Sequence, residues 1–280
     1  MNMFMLKILA LVSSATAAWI KQCVRPGTFA LTFDEGPIVD YQGTEIILNM
    51  LKEKSVRATF HIVLEHMNNP DVHALARRCI DEGHLVGYRT EPTWNLNGMP
   101  LSEFHSKMNA AHSYFRNDLG LDLKFIRLPY IDCDHSSWVP VLEGMGYTVT
   151  KHNLDSNDYK DPDHVVQEFE RRMDQVQVEK HSFISVQRAS KVNSAKSVNA
   201  IIDSVRAKGY RFVDIEECLG YKNHTMPADS SFSPKKPDQD ILDHFNDTVD
   251  AQTNSAMIIK GTNFLMASFT LVAGIMIAFL

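Results

Sequence analysis

Two adjacent carboxylates, Asp34 and Glu35, close the apolar run from Thr28 to Phe33 and are followed by Gly36-Pro37. The run reads as a buried strand, and the Gly-Pro pair turns the chain immediately after the acids. Both acids are therefore expected at the C-terminal mouth of a strand. In a barrel of parallel strands and helices, that mouth is where catalytic groups collect. Two neighbouring acids are costly unless a metal, a basic group or a shared proton relieves them. The chemistry open to this pair is proton abstraction and cation binding. The plain alternative is a solvated turn in which the acids do nothing.

Other chemistries find no support. No Gly-x-Ser-x-Gly elbow and no Gly-rich phosphate loop is present, and Cys133 has no identifiable basic partner. Among the 12 histidines, none forms a His-x-x-x-His pair at a strand mouth. His61 lies mid-strand, His84 begins a strand, His152 precedes an acid-rich segment, and His105 and His112 would share a helix face. Each reads as a core or surface residue. The net charge of -6 leaves no basic surface for nucleic acid.

The elements that would carry the acids alternate along the chain. Strand-like runs are 28–33, 57–63, 84–88, 124–127, 147–153, 182–186 and 210–213. Helical patterns fill the gaps near 42–54, 71–82, 101–118, 135–144, 162–177 and 194–208. This alternation argues for one α/β domain with a parallel sheet closed as a barrel.

The two ends read differently. Residues 1–18 have the pattern of a signal peptide: an apolar run from Ile8 to Val12, then Ala15-Thr16-Ala17-Ala18. Residues 19–222 hold the barrel, and 223–256 read as a flexible, glycosylated stalk with sequons at Asn223 and Asn246. The apolar segment within 257–280 follows small residues at Asn254-Ser255-Ala256, the order of a glycolipid-anchor signal attached at Asn254. A plain membrane tail is the alternative, and either places the protein on the outer face of a membrane. In a secreted chain four cysteines permit two disulfides. Cys23 and Cys218 flank the barrel and are expected to bridge, tying the first strand's entry to the last helix. Cys79 and Cys133 would pair by default or stay as two buried thiols.

The strand ends are specific when read together. They are Thr32-Phe33-Asp34-Glu35-Gly36-Pro37, then Arg89-Thr90-Glu91-Pro92-Thr93, Arg127-Leu128-Pro129-Tyr130, Asp155-Ser156-Asn157-Asp158-Tyr159 and Phe183 to Arg188. In this order they resemble the NodB-homology polysaccharide deacetylases of carbohydrate esterase family 4, fungal-type chitin deacetylases above all, over roughly 23–219. The resemblance implies an irregular (β/α)7 barrel. It makes Asp34 the general base, Arg127 the residue that orients it, and the Tyr130 backbone N–H the oxyanion donor, with Asp155 supporting the arginine. Trp94, Trp138 and Tyr159 are the aromatics expected to line the substrate groove.

The departures fall on the chemistry. The family's second acid is a metal-binding Asp, here Glu35. Its two metal-binding histidines correspond to Arg89 and Thr93, and Arg cannot ligate zinc at any working pH. Arg89 is instead expected to neutralise Asp34 or Glu35. Gln187 is read at the place of the general-acid His, and an amide does not exchange a proton near neutrality. The expectation is a deacetylase-like protein of the cell surface or wall with no cofactor, catalytically inactive, that binds an N-acetylglucosamine polymer such as chitin. Its partners would be that polymer, the membrane through the anchor, and cell-wall proteins. The rivals are an active zinc-type or other divalent-metal deacetylase with an atypical site, and a structural coat protein that binds no sugar.

Overall fold

The computed structural model describes residues 20–38, 42–129 and 137–221. The signal segment, the stalk, Asn223, Asn246, Asn254 and the apolar tail lie outside the described residues, as do Tyr130 and Cys133.

The strand that carries the acids forms in two pieces, β1 (Thr28–Ala30) and β2 (Thr32–Asp34), and every residue in both is buried. β3 (Thr59–Ile62), β4 (Leu85–Arg89), β5 (Phe125–Arg127), β6 (Thr148–Val149), β7 (Leu154–Asp155), β8 (Phe183–Arg188) and β9 (Arg211–Val213) complete the set. They build a 9-stranded sheet in the order β6-β5-β4-β3-β2-β8-β1-β9, with β7 also on β8, and every ladder is parallel. The segment 148–155 pairs with β5 at one end and with β8 at the other. It thus spans the two flanks of the sheet as in a barrel, although its own ladder is interrupted between Val149 and Leu154. At that interruption Ile20 forms a parallel bridge to Thr150.

Helices α1 (Gln42–Lys54), α2 (Pro70–Asp81), α3 (Leu101–Asn117), α4 (Trp138–Gly144), α5 (Val165–Met173), α6 (Val192–Lys196), α7 (Val198–Ala207) and α8 (Ile215–Cys218) fill the gaps between strands. Local sequence sets several of their ends. The Asn69 side chain accepts from the Asp71 N–H and Pro70 takes the first helical position, where no N–H is needed. The single helix expected over 194–208 is two, α6 and α7, which meet at Ser197, whose hydroxyl donates to the Ser194 carbonyl at 2.7 Å.

Strand alternation sorts the core into two faces. Phe29, Leu31, Phe33, Phe60 and Phe183 pack in the large cluster with the helices, while Ala30, Leu85, Phe125, Ile184 and Val213 join Cys23 and Cys218 in a second cluster on the inner face. The Cys23–Cys218 disulfide forms as expected and closes a sequence separation of 195. Of the other two cysteines, Cys133 lies outside the described residues, and Cys79 on α2 is a free, fully buried thiol. Burial pushes that thiol up, so it stays protonated.

Gly87 in β4 shows how tightly the inner face is filled. A Cβ there would lie 2.7 Å from the Phe125 carbonyl oxygen and 3.1 Å from His61 Cδ2. Gly87→Ala is expected to lower unfolding stability by about 1–3 kcal/mol through overpacking, read by urea denaturation. An unchanged midpoint would show that the two strands can part without cost.

Candidate functional site

The site is built at the C-terminal ends of β2, β4, β5, β7 and β8. Asp34 ends β2 on the inner face and is 6% exposed. Parallel pairing sets Arg89 beside Arg127 and Asp34 beside Arg188, which brings three guanidiniums to the mouth. Arg127 Nη1 donates to Asp34 Oδ1 at 2.8 Å and to Thr32 Oγ1 at 2.7 Å, and its Nη2 reaches the Lys151 carbonyl at 3.3 Å. Arg89 Nε lies 3.5 Å from Asp34 Oδ2, and its Nη2 lies 3.1 Å from Glu35 Oε1. The ion pair expected between Arg89 and the two acids is therefore present. Glu35 adopts φ +70°, a left-handed conformation rare for a residue with a side chain, just before the Gly-Pro turn.

Below these pairs sits His61, fully buried on β3. Its Nδ1 is 3.5 Å from Asp34 Oδ1, and its Nε2 lies 3.2 Å from the Thr150 hydroxyl. Burial, with the positive charge of Arg127, pulls His61 down to about 4, so it is neutral at physiological pH. Burial alone would push the Asp34 carboxyl up, but Arg127, His61 and Arg89 together outweigh it and hold Asp34 well below the usual carboxylate range.

The second half of the mouth centres on Arg188. Its Nη1 and its backbone N–H each donate to the Asp158 carboxylate at 2.7 Å, and its guanidinium carbon lies 4.4 Å from the Tyr159 ring centre. Arg188 also stands 3.9 Å from Glu35 Oε1 and 3.8 Å from Asp155 Oδ1. Asp155 accepts the Asn157 N–H at 2.9 Å, and His152 Nε2 approaches its other oxygen at 3.8 Å.

Several expected positions are corrected by this geometry. Gln187 does not face Asp34: it pairs in register with Phe33 on the helix side, and its Nε2 donates to Ser194 Oγ at 2.9 Å. Arg188, one residue on, is the side chain that enters the site, because a shift of one along a strand exchanges the two faces. Arg127 pairs with Asp34, as expected of a base-orienting residue, while Asp155 supports it through its charge. Thr93 is exposed in the turn after β4, outside the ion-pair cluster. Trp138 is 2% exposed and donates to the Leu96 carbonyl, and Trp94 is half-buried against Tyr88 and Phe104 with Lys107 over its ring, so neither is a free groove aromatic. Tyr159, at 47% exposed, is the one of the three that faces solvent openly. Nothing along the sequence distinguishes His61 or Arg188 as a site residue.

These residues do not make a donor set for a divalent cation. Zinc needs several unprotonated nitrogen, sulfur or oxygen donors converging within about 2.0–2.3 Å of one point. Here the Asp34 and Glu35 carboxylates are instead capped by guanidinium groups, which carry only donors. Among the described residues, no three His, Cys, Asp or Glu side chains converge as a cation-holding group.

Known proteins are similar to this chain in sequence and fold. The family model described as polysaccharide deacetylase matches residues 21–150. A chitin deacetylase from Colletotrichum lindemuthianum is 33% identical over 212 residues, which are 72% of this chain and 83% of that protein. The chain belongs to the polysaccharide deacetylase family. The solved structure of a chitin deacetylase from the same fungus superposes on this deacetylase-family chain with TM-score 0.68 and 29% identity, covering 78% of this chain and 99% of that one. The barrel of the NodB type is thereby shared. A CE4 family pseudoenzyme from Bacillus anthracis has the same fold at TM-score 0.62 and 17% identity, covering 73% of this chain and 70% of that one.

Proposed function

We propose that this deacetylase-family chain is a cell-surface protein that contacts an N-acetylglucosamine polymer, chitin or a relative, without deacetylating it. One observation carries the reading: beside the retained pair of Arg127 and Asp34, a second guanidinium, Arg89, lies 3.5 Å from Asp34 and 3.1 Å from Glu35. A general base must accept a proton near the working pH. Arg89 adds its charge to that of the retained, base-orienting Arg127 and moves Asp34 further from that range. Arg89 also stands where the family places a metal-ligating imidazole, so no metal-activated water is assigned here. The signal-like start and the anchor-like tail support a place on the outer face of the membrane or in the wall. Polymer contact is supported by family membership and by Tyr159, an exposed ring at the mouth able to stack on a sugar.

The test is acetate release from chitin oligomers by the purified full chain with zinc or cobalt added, together with metal analysis and retention on chitin. The expected result is acetate at the level of the protein-free control, no stoichiometric metal, and retention on chitin. Turnover with bound metal overturns the reading. Absence of turnover without retention overturns its polymer half and leaves a structural coat protein.

A further inference from the structure

Glu35 Oε1 lies between two guanidiniums, 3.1 Å from Arg89 Nη2 and 3.9 Å from Arg188 Nε. Arg188 is not a loose surface cation. It is pinned at both its backbone N–H and its Nη1 by Asp158, a buried residue, and its planar face rests against Tyr159. Its guanidinium also approaches Asp155 at 3.8 Å, so it stands between the two half-buried acids of the mouth. The family's motifs mark Arg89 as the displaced metal ligand and are silent on Arg188.

We propose that Arg188 is a second, independent barrier to divalent-cation binding at this mouth, so that undoing Arg89 alone does not restore a metal site. This rests on the proposed function, in which ion pairs replace the metal. With Arg89 gone, Arg188 keeps one positive charge within 3.9 Å of Glu35. Like charges a few ångströms apart in a partly desolvated site repel strongly, and an incoming cation meets that repulsion before it gains any ligand. The Arg188 side chain cannot swing aside without giving up its Nη1 hydrogen bond to the buried Asp158 carboxylate.

The test is zinc titration calorimetry on the full chain in three forms: the natural protein, the pair Arg89→His with Thr93→His, and that pair with Arg188→Gln. The natural protein and the pair are expected to take up no zinc at micromolar concentration, and the threefold variant to bind at least about tenfold more tightly than the pair. Equal affinity in the pair and the threefold variant overturns the proposal, and so does the absence of binding in both. Melting curves establish that each variant is folded. If Arg188→Gln unfolds the chain, Arg188→Ser makes the same comparison, since the backbone N–H at 188 still serves Asp158. Turnover by the natural protein would instead sink the non-catalytic reading, so the two failures are told apart.

Discussion

Replacing Arg127 by methionine is expected to destabilise the protein by about 3–5 kcal/mol at neutral pH, since it leaves a buried carboxylate without its main counter-ion. Arg127 is 3% exposed and its Nη1 serves both Asp34 and Thr32, so one substitution strips two buried acceptors of their donor. Arg89 at 3.5 Å and a neutral His61 remain, and neither makes so short a contact. The loss should depend on pH in a defined direction. In the natural protein Asp34 is held below the ordinary unfolded value of about 3.9, so its contribution is fully present above that value and fades as pH falls through the lower folded one. Without Arg127, burial dominates and Asp34 moves upward, so in the variant it costs stability as pH rises past about 4. The two unfolding curves should therefore converge in acid and separate between about pH 4 and pH 7. A gap that stayed constant from about pH 7 into acid well below about pH 4 would mean that Arg127 acts by packing rather than by charge.

The same arginine shows what a sequence can and cannot convey about such a site. Asp34, Glu35, Arg89 and Arg127 could be placed together because each ends a strand whose apolar run is easily recognised, and parallel strands bring their ends to one side. Arg89 could further be paired with the acids because a guanidinium has no other role between two carboxylates. Gln187 and Arg188 could not be sorted in the same way. The run Phe183-Ile184-Ser185-Val186 is buried on both faces, so the alternation that would fix which side chains look inward is absent. A slip of one residue then exchanges the site residue for its neighbour. His61 was unreadable for a related reason: its role depends on Gly87 of the next strand leaving room for the ring, and that contact is between strands, not along one.

The aromatic residues failed differently. Trp94 and Trp138 sit at the right places in the chain to line a groove, but a large ring beside an amphipathic helix gains more by burial than by exposure. Trp138 accordingly packs on Phe104, with ring centres 4.2 Å apart, and satisfies its indole N–H on the Leu96 carbonyl. Tyr159 escapes this because Arg188 and Lys160 lie against its ring, at 4.4 and 5.0 Å, and hold it at the mouth without enclosing it.

Removing the Cys23–Cys218 bridge, by Cys23→Ser with Cys218→Ser, is expected to cost about 5 kcal/mol, the chain-entropy value for so long a closed loop. For a domain of this size that corresponds to a drop of about 10–20 °C in melting temperature. The separation of 195 residues spans nearly the whole described chain, so the bridge restricts the unfolded state as a single large loop. It also acts on the folded side. The two cysteines join the inner-face cluster with Ala30, Ile184 and Val213, and the Val24 N–H donates to the Cys218 carbonyl at 2.9 Å beside the bridge. Serine at both places would put two hydroxyls into that apolar cluster, so an alanine pair is the better measure of the loop term, and the serine pair should fall further. The ion-pair mouth lies at the opposite ends of the strands, and its Arg127–Asp34 contact is formed by β2 and β5 without help from α8. The pH-dependent gap expected for Arg127→Met should therefore survive in the bridge-less protein, adding to the bridge loss rather than merging with it. If the two losses prove strongly non-additive, the barrel's two ends communicate through its inner face, and the bridge would belong to the site as well as to the fold.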